Sequence, residues 1–168
     1  MTIHLHEGLE GVWAELHAGG GTIRYRRRGA GATTVLLSSD APMAGAREVE
    51  QALARAGRVL VPYTRPWPEG PPGRWLETFL EGLGVHDALL VASHGPAVEA
   101  ALAVAQRAPE MVRGVAILGD PYQAGRLHRA WIETDAGSRT PLLLAGAAAT
   151  MAEVLPALAH LAGADAPR

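Results

Sequence analysis

Ala88-Leu89-Leu90-Val91-Ala92-Ser93-His94-Gly95-Pro96 is the stretch on which the reading of this chain turns. The run Ala88 to Ala92 is apolar on both of its alternating sides, the pattern of a strand buried on two faces. It breaks at a small polar cluster, Ser93-His94-Gly95. Pro96 then brings the fixed φ that suits a first helical position. From Ala97 to Ala108 only Glu99, Gln106 and Arg107 interrupt an apolar sequence, so the helix predicted there is largely buried. A buried strand, a tight polar turn and a buried helix therefore follow one another at the centre of the fold.

The same alternation extends outward on both sides. Thr2 to Arg28 reads as β-structure broken by turns. In it Val12 to Leu16 and Thr22 to Arg26 alternate as one-sided antiparallel strands around Gly19-Gly20-Gly21. Gly29 to Ala32 is a connector and Thr33 to Leu37 a buried strand. Asp40 caps a helix over Met43 to Ala56, with Gly57 as its stop. Arg58 to Val61 is a short strand ended by Pro62, and the proline-rich segment Tyr63 to Gly73 is a stiff surface loop. Arg74 to Leu83 is an amphipathic helix closed by Gly84. Downstream, the expected elements are a strand at Gly114 to Leu118, a short helix within Tyr122 to Asp135, a strand at Thr140 to Ala145 and a helix at Thr150 to Leu161. The tail Gly163 to Arg168 is expected to fray. Strands alternating with helices imply an α/β fold with a mostly parallel sheet, helices on both faces, and an N-terminal antiparallel hairpin. Residues 1–168 read as a single domain without internal repeats.

Composition narrows the partners. The 168 residues are 48% hydrophobic and carry a net charge of −2, which argues against disorder and against nucleic acid as a partner. Arg26-Arg27-Arg28 is the one local basic run, read as a solvated face. There is no cysteine, hence neither disulfide nor thiolate metal site, and all 15 Lys-plus-Arg residues are Arg. His4 and His6 share one strand face, but no carboxylate or cysteine spacing in the sequence supports a metal there, so none is expected. With no apolar span long enough for a membrane and no signal peptide, a soluble cytoplasmic protein is expected.

The order of elements resembles the α/β-hydrolase superfamily, in its small-esterase and proline-iminopeptidase-like branch. The likeness runs from about Gly20 to Gly146. Gly21 to Tyr25 resembles the opening hairpin, Thr34 to Pro42 the strand and oxyanion loop, and Leu83 to Val91 the approach to the nucleophile elbow. Arg107 to Val115 resembles the return to the next strand, and Pro141 to Gly146 the strand before the acid loop. The family's elbow is Gly-x-Ser-x-Gly on a strained strand-to-helix turn. Counting from Leu83 puts His94 at the nucleophile position; counting back from Pro109 puts Gly95 there. Ser93 has Gly95 two positions after it but Val91 two before. Ser38-Ser39 stand where the family has His-Gly, and the acid loop reads Ala147-Ala148-Ala149-Thr150. The family's last strand and its general-base His have no counterpart, since His160 falls within a helix.

The candidate catalytic residues are accordingly His94, Ser93 and Asp120, the last at a strand end where part of the superfamily carries its acid. Ser38, Ser39, Gly95 and Tyr122 are candidates for oxyanion or substrate binding. The resemblance implies an enzyme acting on a small acyl, ester or carbonyl compound without cofactor. If Ser93 reacts it is a hydrolase or acyltransferase; if His94 acts as a base it is a cyclase or lyase, with His94 expected to carry the larger share. The alternative is an inactive pseudo-hydrolase serving as a binding or assembly module. A homodimer is expected to cover the sheet edge or apolar face left by the missing strand.

Overall fold

The computed structural model describes residues 2–8, 11–18, 21–37, 46–63, 70–93, 95–119, 140–146, 156, 157 and 160. The strands are β1 (Thr2–Gly8), β2 (Gly11–Ala18), β3 (Gly21–Arg28), β4 (Thr33–Leu37), β5 (Arg58–Tyr63), β6 (Ala88–Ala92), β7 (Val112–Gly119) and β8 (Leu142–Gly146). The helices are α1 (Ala46–Ala56), α2 (Arg74–Gly82) and α3 (Pro96–Arg107). Among the described residues one eight-stranded sheet runs in the order β1-β2-β3-β5-β4-β6-β7-β8. The strands from β5 through β4, β6 and β7 to β8 pair in parallel, and β1, β2 and β3 add antiparallel neighbours at one side. The fold is α/β, with a mostly parallel sheet and an antiparallel N-terminal extension. Of the last predicted helix only Pro156, Ala157 and His160 are described, each helical. The helix read within Tyr122 to Asp135 lies outside the described residues.

The central strand shows why an uninterrupted apolar run belongs in a parallel sheet. Leu90 and Ala92 pack with α2 and α3 on one face, while Leu89 and Val91 pack with α1 on the other. Burying each leucine contributes roughly 1.5–3 kcal/mol. Helix α3 presents Ala97, Ala100, Ala101, Val104 and Ala105 to the core, and its interruptions Glu99, Gln106 and Arg107 lie at the surface. Its small side chains let other backbone approach closely: a Cβ on Gly73, ahead of α2, would stand 2.6 Å from the Ala100 carbonyl oxygen.

Two readings need correction. β5 does not stop at Pro62 but continues to Tyr63, with Tyr25 opposite Pro62 and Arg24 opposite Tyr63. The parallel pairing with β4 reaches only Leu60, so Pro62 has a sheet partner on one side alone. A residue without an N–H is tolerated at such a position. The basic run on β3 is not a uniformly solvated face either. Alternation sends Tyr25 to the core, edge-on to Phe79 at 5.3 Å, and Arg26 and Arg28 to the α1 side. There Glu50 of α1 accepts from Arg26 Nε at 3.0 Å and also from Arg26 Nη2, with Arg28 Nε 3.3 Å away. The Glu50 side chain is only 5% exposed and that of Arg26 14%. Arg27 between them is exposed.

Burial pushes the Tyr25 hydroxyl above its ordinary pKa of 10.0, against the opposing charges of Arg27 and Arg58. The folded state thus holds this proton more tightly than the unfolded chain. Its contribution to stability is complete below pH 10 and is lost as pH rises through the folded-state value. Denaturation midpoints measured from pH 8 to 11 should fall at the alkaline end, and Tyr25→Phe should remove that part of the fall.

Candidate functional site

The carboxyl ends of β6 and β7 and the start of α3 form the site. β6 delivers Ser93 to the top of the sheet, and the chain then turns sharply at Gly95, with φ 58° and ψ −138°. That backbone region is essentially reserved for glycine. The Gly95 carbonyl accepts from Val98 N–H at 3.0 Å and Glu99 N–H at 3.2 Å, starting the helix, and Pro96 occupies its first turn. Gly95 is exposed, and a Cβ built on it would meet none of the described residues within 4 Å. The pivot of the strand–turn–helix is therefore residue 95, which agrees with the count back from Pro109.

Ser93 sits differently. It is 4% exposed, and its Oγ is buried with no hydrogen-bond partner among the described residues. Its carbonyl oxygen lies so near the end of β7 that a Cβ on Gly119 would stand 2.6 Å away. The small residue at 119 is what lets β6 and β7 converge beneath the turn. His94, Asp120, Ser38, Ser39 and Tyr122 lie outside the described residues. Of the sequence candidates the structure brings together Ser93 and Gly95, one beneath the surface and one at it. Among the described residues no group of three histidines, aspartates or glutamates is gathered to hold a metal. No helix among them is long and apolar enough to cross a membrane.

A sharp strand-to-helix turn at the carboxyl end of a central parallel strand has the geometry of an elbow in an α/β fold. No family model matches the sequence, and no curated protein matches it either. Solved structures do. Cfl2 wild-type from Burkholderia cenocepacia superimposes with a TM-score of 0.59 at 22% identity, over 70% of this chain and 45% of that one. The epoxide hydrolase VrEH1 from Vigna radiata gives 0.54 at 18% identity, over 66% and 41%. A serine hydrolase involved in carbazole degradation, the CarC enzyme, gives 0.54 at 22% identity, over 62% and 46%. The chain has the α/β-hydrolase fold, and it spans about half or less of the length of these structures.

Within that fold the turn residue is where a nucleophile's side chain is carried, and the backbone N–H of the next residue helps to bind the oxyanion. Here the turn residue is Gly95, which has no side chain, and the next is Pro96, which has no N–H. Sequence reasoning reached Gly95 by one of two counts but passed over Pro96. The signal was present, since a proline directly after the turn removes that donor whatever the substrate. Gly95→Ser should cost about 1–3 kcal/mol through backbone strain. It should also gain no esterase activity, because Pro96 remains. Urea denaturation and an ester hydrolysis assay check the two halves separately.

Proposed function

We propose that this chain is a hydrolase-fold domain that binds a small acyl, ester or carbonyl compound over the elbow without forming a covalent intermediate. The bare turn at Gly95 carries this reading. Open α/β sheets bind ligands at the carboxyl ends of their strands, and the exposed Gly95 lies at that end. Acyl transfer through a serine needs a reachable hydroxyl, a base and oxyanion donors. The buried Ser93 and the missing N–H of Pro96 both weigh against it. Ser38, Ser39 and Tyr122 are proposed to supply polar contacts to the ligand. A second reading is proton transfer by His94, oriented by Asp120, with no covalent step. The lack of a side chain at the adjoining pivot, Gly95, favours it, as does the near-neutral titration of imidazole.

The test is a panel of short-chain esters and lactones followed by amide NMR and product analysis. Binding shifts the Gly95 and Ala97 amides while the ester stays intact. Proton transfer appears instead as deuterium uptake at the carbon next to the carbonyl, lost in His94→Ala. Steady release of alcohol and acid with a burst phase would overturn the non-covalent reading.

A further inference from the structure

The end of the sheet remote from the elbow carries two arginines for which the fold supplies no acid. Arg27 of β3 stands opposite Leu60 of β5, and Arg58 of β5 stands opposite Thr33 of β4. Alternation puts Arg27 and Arg58 on the same sheet face as Tyr25 and Leu60. There they are diagonal neighbours, with Cβ atoms about 7–8 Å apart or less. Arg58 opens β5 and so lies at the amino end of the parallel strands, whereas the elbow lies at their carboxyl ends.

The other strand arginines are each matched by a carboxylate. Arg24 Nε is 3.1 Å from Glu15, Arg28 Nε is 3.3 Å from Glu50, and Arg113 Nη1 is 3.4 Å from Asp87. Arg26 also meets Glu50. Among the described residues no carboxylate pairs with Arg27 or Arg58. Arg58 instead donates from Nε, at 3.0 Å, and from Nη2 to the hydroxyl of Thr33, a neutral acceptor that is itself 5% exposed. These bonds fix the guanidinium and leave its Nη1 without a partner among the described residues. Arg27 is exposed and keeps its whole fork of donors. Both cations lie near enough to the Tyr25 hydroxyl to draw its pKa down against burial.

We propose that Arg27 and Arg58 bind the phosphoryl group of a small molecule, at a site separate from the elbow. Such a group carries about −1.5 to −2 charge near neutrality and three acceptor oxygens. That matches two guanidinium charges and their forked donors. A carboxylate would neutralise only one of the two. Arg58 is the preorganised member, held by Thr33, and Arg27 closes on the ligand from solvent. The pairing was hidden in the sequence because Arg26-Arg27-Arg28 reads as one basic run. Alternation turns its middle member to the opposite face, where β5 brings up Arg58.

Calorimetric titration of the full chain at low ionic strength, with inorganic phosphate and with phenyl phosphate, tests the site. One anion should bind per chain. Arg27→Gln should weaken binding by about tenfold or more, the usual loss for a hydrogen bond to a charged group, and Arg58→Gln should do the same. Arg55→Gln, at an exposed position of α1, should leave binding unchanged. Far-UV circular dichroism checks that each variant is folded, and the exposed Arg27 keeps the test open if Arg58→Gln, which releases Thr33, does not fold. Tighter binding of phenyl phosphate assigns the site to a phosphomonoester, and equal binding assigns it to the free ion. Absence of binding of either at concentrations on the order of 10 mM would overturn the proposal. So would binding that survives Arg27→Gln undiminished.

Discussion

Glu50→Ala should lower stability by about 3–5 kcal/mol, the usual effect of removing one partner from a buried ion pair. Two guanidinium groups converge on this carboxylate, from Arg26 and Arg28 of β3. Once it is gone both lose this shared, 5%-exposed partner. Arg26 also lies over the Trp13 ring, 5.8 Å from its centroid, so its ability to swing out to water is restricted. The loss should change little between 50 and 500 mM salt, because buried pairs are screened far less than surface ones. Replacing Glu50, Arg26 and Arg28 together by apolar residues should recover much of it. A loss below about 1 kcal/mol would mean that the triad behaves as a surface pair. Through this grip α1 is fixed on the sheet. It begins directly after the segment that contains Ser38 and Ser39, so the same variant should also weaken any ligand that they contact.

Gly29→Ala should cost about 2–5 kcal/mol. Gly29 joins β3 to β4 at φ +67°, and a Cβ there would lie 2.1 Å from the Gly57 carbonyl oxygen and 2.5 Å from that of Ala54. Both obstacles are backbone at the end of α1, so neither can rotate aside. Left-handed strain contributes about 1–2 kcal/mol and forced displacement about 1–3 kcal/mol more. In a chain of this size the melting midpoint should drop by roughly 4–20 °C. Gly84 provides the control: it too has positive φ, +61°, but a Cβ on it meets nothing within 4 Å. Gly84→Ala should show the strain alone. Equal losses at the two positions would refute the packing argument.

Where burial is two-sided, the sequence speaks plainly. Thr33–Leu37 and Ala88–Ala92 were readable to the residue because a strand covered on both faces has nothing polar to blur its ends. The α1 side of β3 was not readable: alternation places Arg26 and Arg28 on one face, but only the packing of α1 reveals that Glu50 waits there. Pro62 misled for a related reason, because a proline ends a strand only where its N–H is needed, and β4 had already ceased to pair. At the elbow two counts from flanking motifs disagreed by one residue, and no pattern of side chains decides between them. The backbone does, through the single glycine whose torsions make the turn.

The central claim is that the exposed pivot of the elbow bears no nucleophile and that Ser93 lies beneath it out of reach. A serine-reactive fluorophosphonate followed by intact-mass and peptide analysis tests this most directly. The native chain should remain unmodified under conditions that label a serine esterase completely, and Ser93→Ala should be indistinguishable from it. A stoichiometric phosphonyl adduct mapped to Ser93 of the folded protein would contradict the account.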